Sequence, residues 1–287
     1  MARGLINRRT HTIGVILPHF LNSYATQLLN GIEKKAHELG SSVIFCQTES
    51  FGIKTMKYLQ VLNEKRVDGL IFISSVLEKE YYEYIEKIEM PLVLLSTKSD
   101  QFKVPYIEVD GKAAIYSAVQ YLIEKGHRKI GMIGNKEDPI AGVPRVKGYK
   151  AALKAYNIPF ESNRLTYSRG FSYEDGVKHF QILMKKAPDI TAVVTISDEV
   201  GVGVLTAAHK MGIKVPDDIS VIGYDNLSIA EMSIPKLTSV AQPLERMGEK
   251  AAEKLFEVLA TESPVDNCIM PHEIIERESV RTIKYEA

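Results

Sequence analysis

Polar residues that could bind a ligand follow several apolar, strand-like segments of this 287-residue sequence. An apolar core has no use for such residues, whereas ionised carboxylates accept strong hydrogen bonds from ligand hydroxyl groups. In open α/β sheets, ligands bind at the carboxyl ends of the strands. The sequence therefore predicts a binding site made from these strand ends, which hold His19–Tyr24, Ser74–Ser75, Asp198 and Asp225–Asn226.

The residue combinations that common catalytic and metal sites require are missing. The sequence contains no H-E-x-x-H, C-x-x-C, G-x-S-x-G or Walker A pattern, and its seven histidines lack metal-ligand spacing. Gly201-x-Gly203 follows a strand-like run, but Thr206 stands where the dinucleotide fingerprint needs glycine, which favours a small-residue packing face. We therefore expect a protein that is not an enzyme and has no metal or cofactor.

Short apolar runs alternate with amphipathic helical patterns along the chain. The predicted strands are Thr12–Leu17, Ser42–Cys46, Val67–Ile73, Pro91–Ser96, Lys129–Ile133, Ala192–Ile196, Ile219–Gly223 and Leu237–Val240, with a strand-like tail over Cys268–Val280. Nearly continuous hydrophobicity is typical of parallel strands that are buried on both faces. The pattern restarts at GHRKIGMIG, and a length of 287 residues suits two domains of about 150. The sequence predicts an α/β protein with two parallel-sheet lobes.

The composition is that of an ordinary folded protein, with 45% apolar and 25% charged residues. Thirty-six basic residues balance 36 acidic ones, which argues against a surface built to bind polyanions, although Arg3, Arg8 and Arg9 form a local basic start.

The two cysteines allow no disulfide framework and are expected to be buried. No apolar run reaches the ~20 residues of a membrane span and no secretory signal is evident, so we expect a cytoplasmic protein.

Five phrases carry a family resemblance: TIGVILPHFLNSY, GHRKIGMIG, RVKGYKAAL, ISVIGYDN and LTSVAQPLERMGEKAAEKL. Together and in this order they resemble the LacI/GalR family of transcriptional regulators. The resemblance extends from Ala2 to about Ile283 and implies two Rossmann-like lobes like those of periplasmic binding proteins. It also implies a helix-turn-helix DNA-binding head and a hinge helix ahead of the lobes. The sequence opens at ARGL, which resembles the end of that hinge helix, and we expect the head to be absent from this chain.

The resemblance also implies the domain limits. Residues 1–10 would be a hinge-helix remnant and linker, residues 11–124 with 241–265 the first lobe, and residues 126–240 with 266–287 the second. Three crossings between the lobes would lie near Glu124–Gly126, Val240–Gln242 and Ser263–His272. In the remnant, Arg3 and Leu5 match DNA-contacting positions, the leucine being the family residue that wedges into the minor groove. Without the head we expect no sequence-specific duplex binding at physiological salt.

Arg145 and Asp225 are the two strongest effector-binding predictions. The resemblance places the effector-binding arginine of the family at Arg145 in RVKGYKAAL, and a guanidinium can hold neighbouring hydroxyls or a carboxylate in fixed geometry. Asp225 follows ISVIGY, where its carboxylate could accept hydrogen bonds from two sugar hydroxyls. The alternatives are an exposed arginine in a first helical turn and an N-cap aspartate.

Six further residues are predicted to line the same cleft between the lobes. Asp110 has an alternative as a helix cap, and Asp198 could instead help to cap a helix or support the cleft. Gln242 could instead belong to a hinge. Tyr24 could stack on the face of a pyranose or simply pack, and Phe171 is a candidate for the opposite wall. His19 stands where many relatives have aspartate, which argues against transferring the ligand of any one relative to this chain.

The sequence is interpreted as the effector-binding and dimerisation core of a LacI-type regulator. A sugar or sugar derivative would bind in the cleft and control operator affinity allosterically, in a homodimer that matches a pseudo-palindromic operator. The alternative is a stand-alone sugar-binding protein with the same two lobes. The absence of a secretory signal and the ARGL–NRRT start argue against it.

Overall fold

The computed structural model describes residues 9–18, 22–48, 54–261 and 266–283. Its strands are β1 (Thr12–Leu17), β2 (Ser42–Gln47), β3 (Gly69–Ile73), β4 (Leu92–Leu95), β5 (Tyr106–Val109), β6 (Ile130–Gly134), β7 (Leu165–Tyr167), β8 (Ala192–Thr195), β9 (Ser220–Asp225), β10 (Thr238–Ala241), β11 (Cys268–Met270) and β12 (Glu273–Ile275). Its helices are α1 (Ser23–Glu38), α2 (Thr55–Glu64), α3 (Lys79–Lys87), α4 (Gly111–Glu124), α5 (Gly142–Ala155), α6 (Tyr173–Lys186), α7 (Asp198–Lys210), α8 (Ser228–Met232) and α9 (Leu244–Ala260).

The chain divides into two units, each built on a six-stranded sheet. The first unit runs to Glu108 and includes Pro243–Met270, and the second comprises Val109–Gln242 and the chain from Pro271 onward. The structure corrects two of the predicted limits. Helix α4, which we assigned to the first lobe, packs against α5 in the second unit, so the first crossing lies after Glu108 rather than near Glu124–Gly126. The predicted terminal strand is two strands, of which β11 belongs to the first sheet and β12 to the second.

The first unit has the strand order β11-β5-β4-β3-β1-β2. Its pairs from β2 through β1, β3 and β4 to β5 are parallel, as the apolar runs predict. All five residues of β3 are buried because helices cover the sheet. Helices α1 and α9 cross at Gly31 and Gly248, where a Cβ on either glycine would overlap the backbone of the other helix.

The second unit has the strand order β12-β10-β9-β8-β6-β7, and only the β10–β12 pair is antiparallel among those described. Helices α6 and α7 approach closely because Gly203 has no side chain, and a Cβ there would overlap the carbonyl oxygen of Tyr173. The small-residue interpretation of Gly201-x-Gly203 is therefore confirmed. The parallel strands end at one edge of the sheet, which is where the predicted ligand residues of this unit lie.

The two cysteines and one histidine differ in how deeply they are buried. Cys46 is buried as predicted, whereas Cys268 is only partly buried, because it lies on the short strand β11. His127 is fully buried and hydrogen-bonded to Thr191 and to the carbonyl of Arg281, so it is a satisfied core histidine. In the part of the chain that the structure describes, no helix is long and apolar enough to cross a membrane.

Candidate functional site

Arg145, Asp225 and Gln242 form a polar cluster within the second unit. Asp225 is the last residue of β9, and Gln242 follows the last residue of β10. The parallel register places Ala241 opposite Asp225, which brings the two polar side chains to the same sheet edge. Arg145 reaches them from the first turn of α5. The local folding of three separate segments therefore assembles one group of charged and amide side chains.

The cluster is held by direct contacts. Gln242 Nε2 donates a hydrogen bond of 2.7 Å to Asp225 Oδ1, and Arg145 Nη2 lies 3.9 Å from the same oxygen. Arg145 Nη1 donates to the carbonyl oxygen of Ile196. The guanidinium carbon lies 3.8 Å from the centroid of the Tyr224 ring, a cation–π distance. The arginine is therefore fixed in position by an aromatic face, a carbonyl and a carboxylate.

Burial dominates the electrostatics of the cluster. Arg145, Asp225 and Gln242 are 7%, 6% and 9% exposed. Burial raises the pKa of Asp225 to about 6, although the charge of Arg145 and the hydrogen bond from Gln242 oppose that rise. Near neutral pH the carboxylate is mostly ionised and compensates the guanidinium charge. The cluster then offers donors and acceptors of hydrogen bonds with little net charge.

Asp198 supports this edge from inside the second unit. Its carboxylate is fully buried, and its two oxygens accept hydrogen bonds of 2.6 Å from Ser239 Oγ and from the backbone N–H of Leu227. Gly223 leaves room for it, because a Cβ there would overlap Asp198 Oδ1. Burial, followed by the nearby charge of Asp225, raises the pKa of Asp198 well above its ordinary value. We therefore correct the prediction of a ligand contact: Asp198 fixes the turn that follows Asp225.

The sequence and fold of the chain match those of transcriptional regulators. The family described as "Periplasmic binding protein-like domain" matches residues 119–280. Catabolite control protein A of Priestia megaterium is 33% identical over 284 residues, covering 98% of this chain and 85% of that protein. The chain belongs to the LacI/GalR family of transcriptional regulators. It is a regulator with an effector-binding core and not an enzyme, as the relatives it matches are regulators.

Two solved structures of similar transcriptional regulators are complexes with sugars. The complex of the regulator CelR with cellobiose has a TM-score of 0.88 at 29% identity, over 95% of this chain and 85% of that one. A LacI family regulator from Enterococcus faecium with bound ribose has a TM-score of 0.85 at 28% identity, over 95% of this chain and all of that one. The predicted α/β class with two parallel-sheet lobes is thus confirmed.

Asp110 and Phe171 are two further residues of the second unit that were predicted to bind the effector. Asp110 is the N-cap of α4, where its Oδ1 accepts hydrogen bonds from the N–H groups of Lys112 and Ala113. It is exposed, and the neighbouring Gly111 lies against Arg145 and Tyr224, while the contact of Asp110 with an effector stays a prediction. The ring centroid of Phe171 lies 6.0 Å from the Arg145 guanidinium carbon.

The remaining predicted residues lie elsewhere. Tyr24 is a partly buried residue of the first turn of α1, in the first unit, and its contact with an effector stays a prediction. His19, Arg3 and Leu5 lie outside the described residues. Within those described residues no group of three or more His, Cys, Asp or Glu side chains could hold a metal ion.

Two residues of the site were missed from the sequence. Tyr224 precedes Asp225, and alternation along a strand would place the two side chains on opposite faces. The backbone of Asp225 has φ 106°, which ends the regular strand there, and both residues meet Arg145. Ser239 lies within the apolar run TSVA, where a serine resembles an ordinary strand residue. A polar residue inside a fully buried strand was the available signal for Ser239.

Proposed function

We propose that the Arg145–Asp225–Gln242 cluster binds a sugar or a sugar derivative, and that this ligand is the effector of the regulator. One observation carries the proposal: the charges of Arg145 and Asp225 compensate each other, because Arg145 Nη2 lies 3.9 Å from Asp225 Oδ1. A compensated pair favours a neutral, hydroxyl-rich ligand over an anion, which would be repelled by the carboxylate. Hydroxyl groups can donate to Asp225 and accept from Arg145 or Gln242.

The sugars in the two similar regulators support this ligand class. Cellobiose and ribose differ in size and ring, and share adjacent hydroxyl groups. The buried, pre-positioned donors of this chain suit such groups because little side-chain freedom is lost on binding. The identity of the sugar is not part of the proposal.

We further infer that the protein acts on operator DNA as a homodimer whose DNA affinity changes with effector occupancy. LacI/GalR regulators bind small-molecule effectors, dimerise and bind operator DNA. In the second unit, Met232 and Ile234 are 78% and 94% exposed, which is unusual for large apolar side chains so close in sequence. They are proposed as part of the surface that contacts the second copy.

A thermal-shift screen tests the ligand class. Sugars, sugar acids and sugar phosphates are added to the purified chain, starting with cellobiose and ribose. A ligand at about 100 times its Kd adds about 2.7 kcal/mol to the free energy of unfolding. We expect a neutral sugar to raise the melting temperature and its response to be lost in Arg145→Ala and in Asp225→Ala.

The matched control is Lys147→Ala, which removes an exposed cation from the same helix. This variant should respond to the sugar as the unmodified protein does. If Arg145→Ala and Asp225→Ala both retained the full response, the cluster would not be the effector site.

A further inference from the structure

The second unit contains a separate pocket at the far edge of its sheet. Edge strand β7, the segments after β6 and β7, and one face of α6 surround a volume of about 390 Å³. Strands β6 and β8 separate β7 from β9 in the sheet, so this pocket is distinct from the Arg145 cluster. Its volume lies within the range of about 300–1,000 Å³ that small-molecule sites occupy.

Two residues that line the pocket each carry a buried polar atom without a hydrogen-bond partner among the described residues. Thr166 is only 3% exposed, and its Oγ1 has no hydrogen-bond partner within the described chain. The Nδ1 atom of His179 on α6 is also buried and has no hydrogen-bond partner within the described chain. The hydroxyl of Ser168, by contrast, is satisfied, because its Oγ donates to the carbonyls of Gly134 and Gly170. A buried polar group without a partner is costly, and a ligand atom would remove that cost.

Three cationic residues also line the pocket. Lys136, Arg169 and Lys186 line the pocket with exposed side chains, and none of them forms an ion pair with any residue that the structure describes. Lys136 Nζ lies 5.6 Å from the centroid of the Tyr167 ring. Among the described residues that line the pocket, Glu137 is the only acidic one, so these residues together carry a net positive charge.

We propose that this pocket binds a small phosphorylated organic anion, in addition to the effector in the Arg145 cluster. The hydroxyl of Thr166, the imidazole of His179 and three cationic side chains supply more donors than the two oxygens of a carboxylate can use. A phosphoryl group presents three strong acceptor oxygens and about two negative charges. The remaining volume leaves space for a small organic group on the phosphate ester.

The proposal is tested by calorimetric titration of the full chain at low salt. The probe is glycerol 3-phosphate, with glycerol as its uncharged control. Saturable binding is expected for the phosphate ester and none for glycerol. Thr166→Val and Lys186→Gln should each raise Kd about tenfold, the effect of losing one charge-assisted hydrogen bond.

Two comparisons separate a built site from general attraction of anions. Lys185→Gln removes the neighbouring exposed lysine, which does not line the pocket, and should leave Kd within about twofold. Thr166→Val should melt at the same or a higher temperature than the unmodified protein, because it removes an unsatisfied hydroxyl. A weakened titration in this variant would then not be due to unfolding.

Several results would overturn the proposal. One is the absence of saturable binding at millimolar glycerol 3-phosphate. Another is an equal loss of affinity in Lys185→Gln and Lys186→Gln, which would indicate attraction to net charge alone. Binding that is lost in Arg145→Ala and retained in Lys186→Gln would place the anion in the other cluster.

Discussion

Replacement of Asp225 by asparagine is expected to stabilise the ligand-free protein at neutral pH. Burial raises the pKa of this carboxyl from 3.8 to about 6 in the folded protein. Between these values the folded state binds more protons than the unfolded state, so the stabilising contribution of the protonated group is present at low pH and is lost as the pH rises to about 6. The difference between the two pKa values corresponds to about 3 kcal/mol. Asparagine has the same shape and no charge to bury, so it avoids this loss.

Urea unfolding of both proteins across a range of pH measures the effect. The two free energies of unfolding should be similar at about pH 3, below both pKa values, and Asp225→Asn should be more stable by up to about 3 kcal/mol at about pH 7.5. Asp217→Asn, which changes an exposed carboxylate of the same unit, is the control and should leave the pH profile unchanged. A difference that is constant with pH, or greater stability of the unmodified protein at neutral pH, would refute the reasoning.

Three further predictions concern the Asp225 carboxylate, its support by Asp198 and the exposed apolar residues Met232 and Ile234. Sugar binding should weaken as the pH falls below about 6, because protonation of Asp225 removes a hydrogen-bond acceptor. Titration calorimetry at several pH values measures the Kd, and a Kd that does not change with pH would contradict this prediction. Ser239→Ala should lower the free energy of unfolding by about 1–3 kcal/mol, because it takes a hydrogen bond from the fully buried Asp198. Urea unfolding checks this, and unchanged stability would show that the bond is not needed. Combined Met232→Glu and Ile234→Glu changes should convert the dimer to a monomer in analytical ultracentrifugation, and a persistent dimer would exclude this surface from the interface.

Most of the strands could be predicted because their apolar patterns are local, whereas the three-residue edge strand β7 was not among those predicted. The run TIGVIL forms β1 with the predicted limits. The unit to which a helix belongs is decided by distant contacts instead. Helix α4 was assigned to the first lobe, and its packing against α5 places it in the second unit.

The same distinction applies to the site. Arg145 and Asp225 could be selected by residue type and position, and the structure brings them together with Gln242. The local sequence could not distinguish a ligand contact from a support at Asp198, because the answer depends on Ser239, which is 41 residues away along the chain. Burial, which separates these two roles, is a property of the folded unit.

The central claim is that the Arg145–Asp225–Gln242 cluster holds the effector. A crystal structure of the protein with the sugar found by the screen tests it most directly. We predict sugar hydroxyl oxygens within about 3 Å of the Arg145 guanidinium and of the Asp225 carboxylate. A sugar bound at another place in the electron density, with no contact to either side chain, would contradict the account.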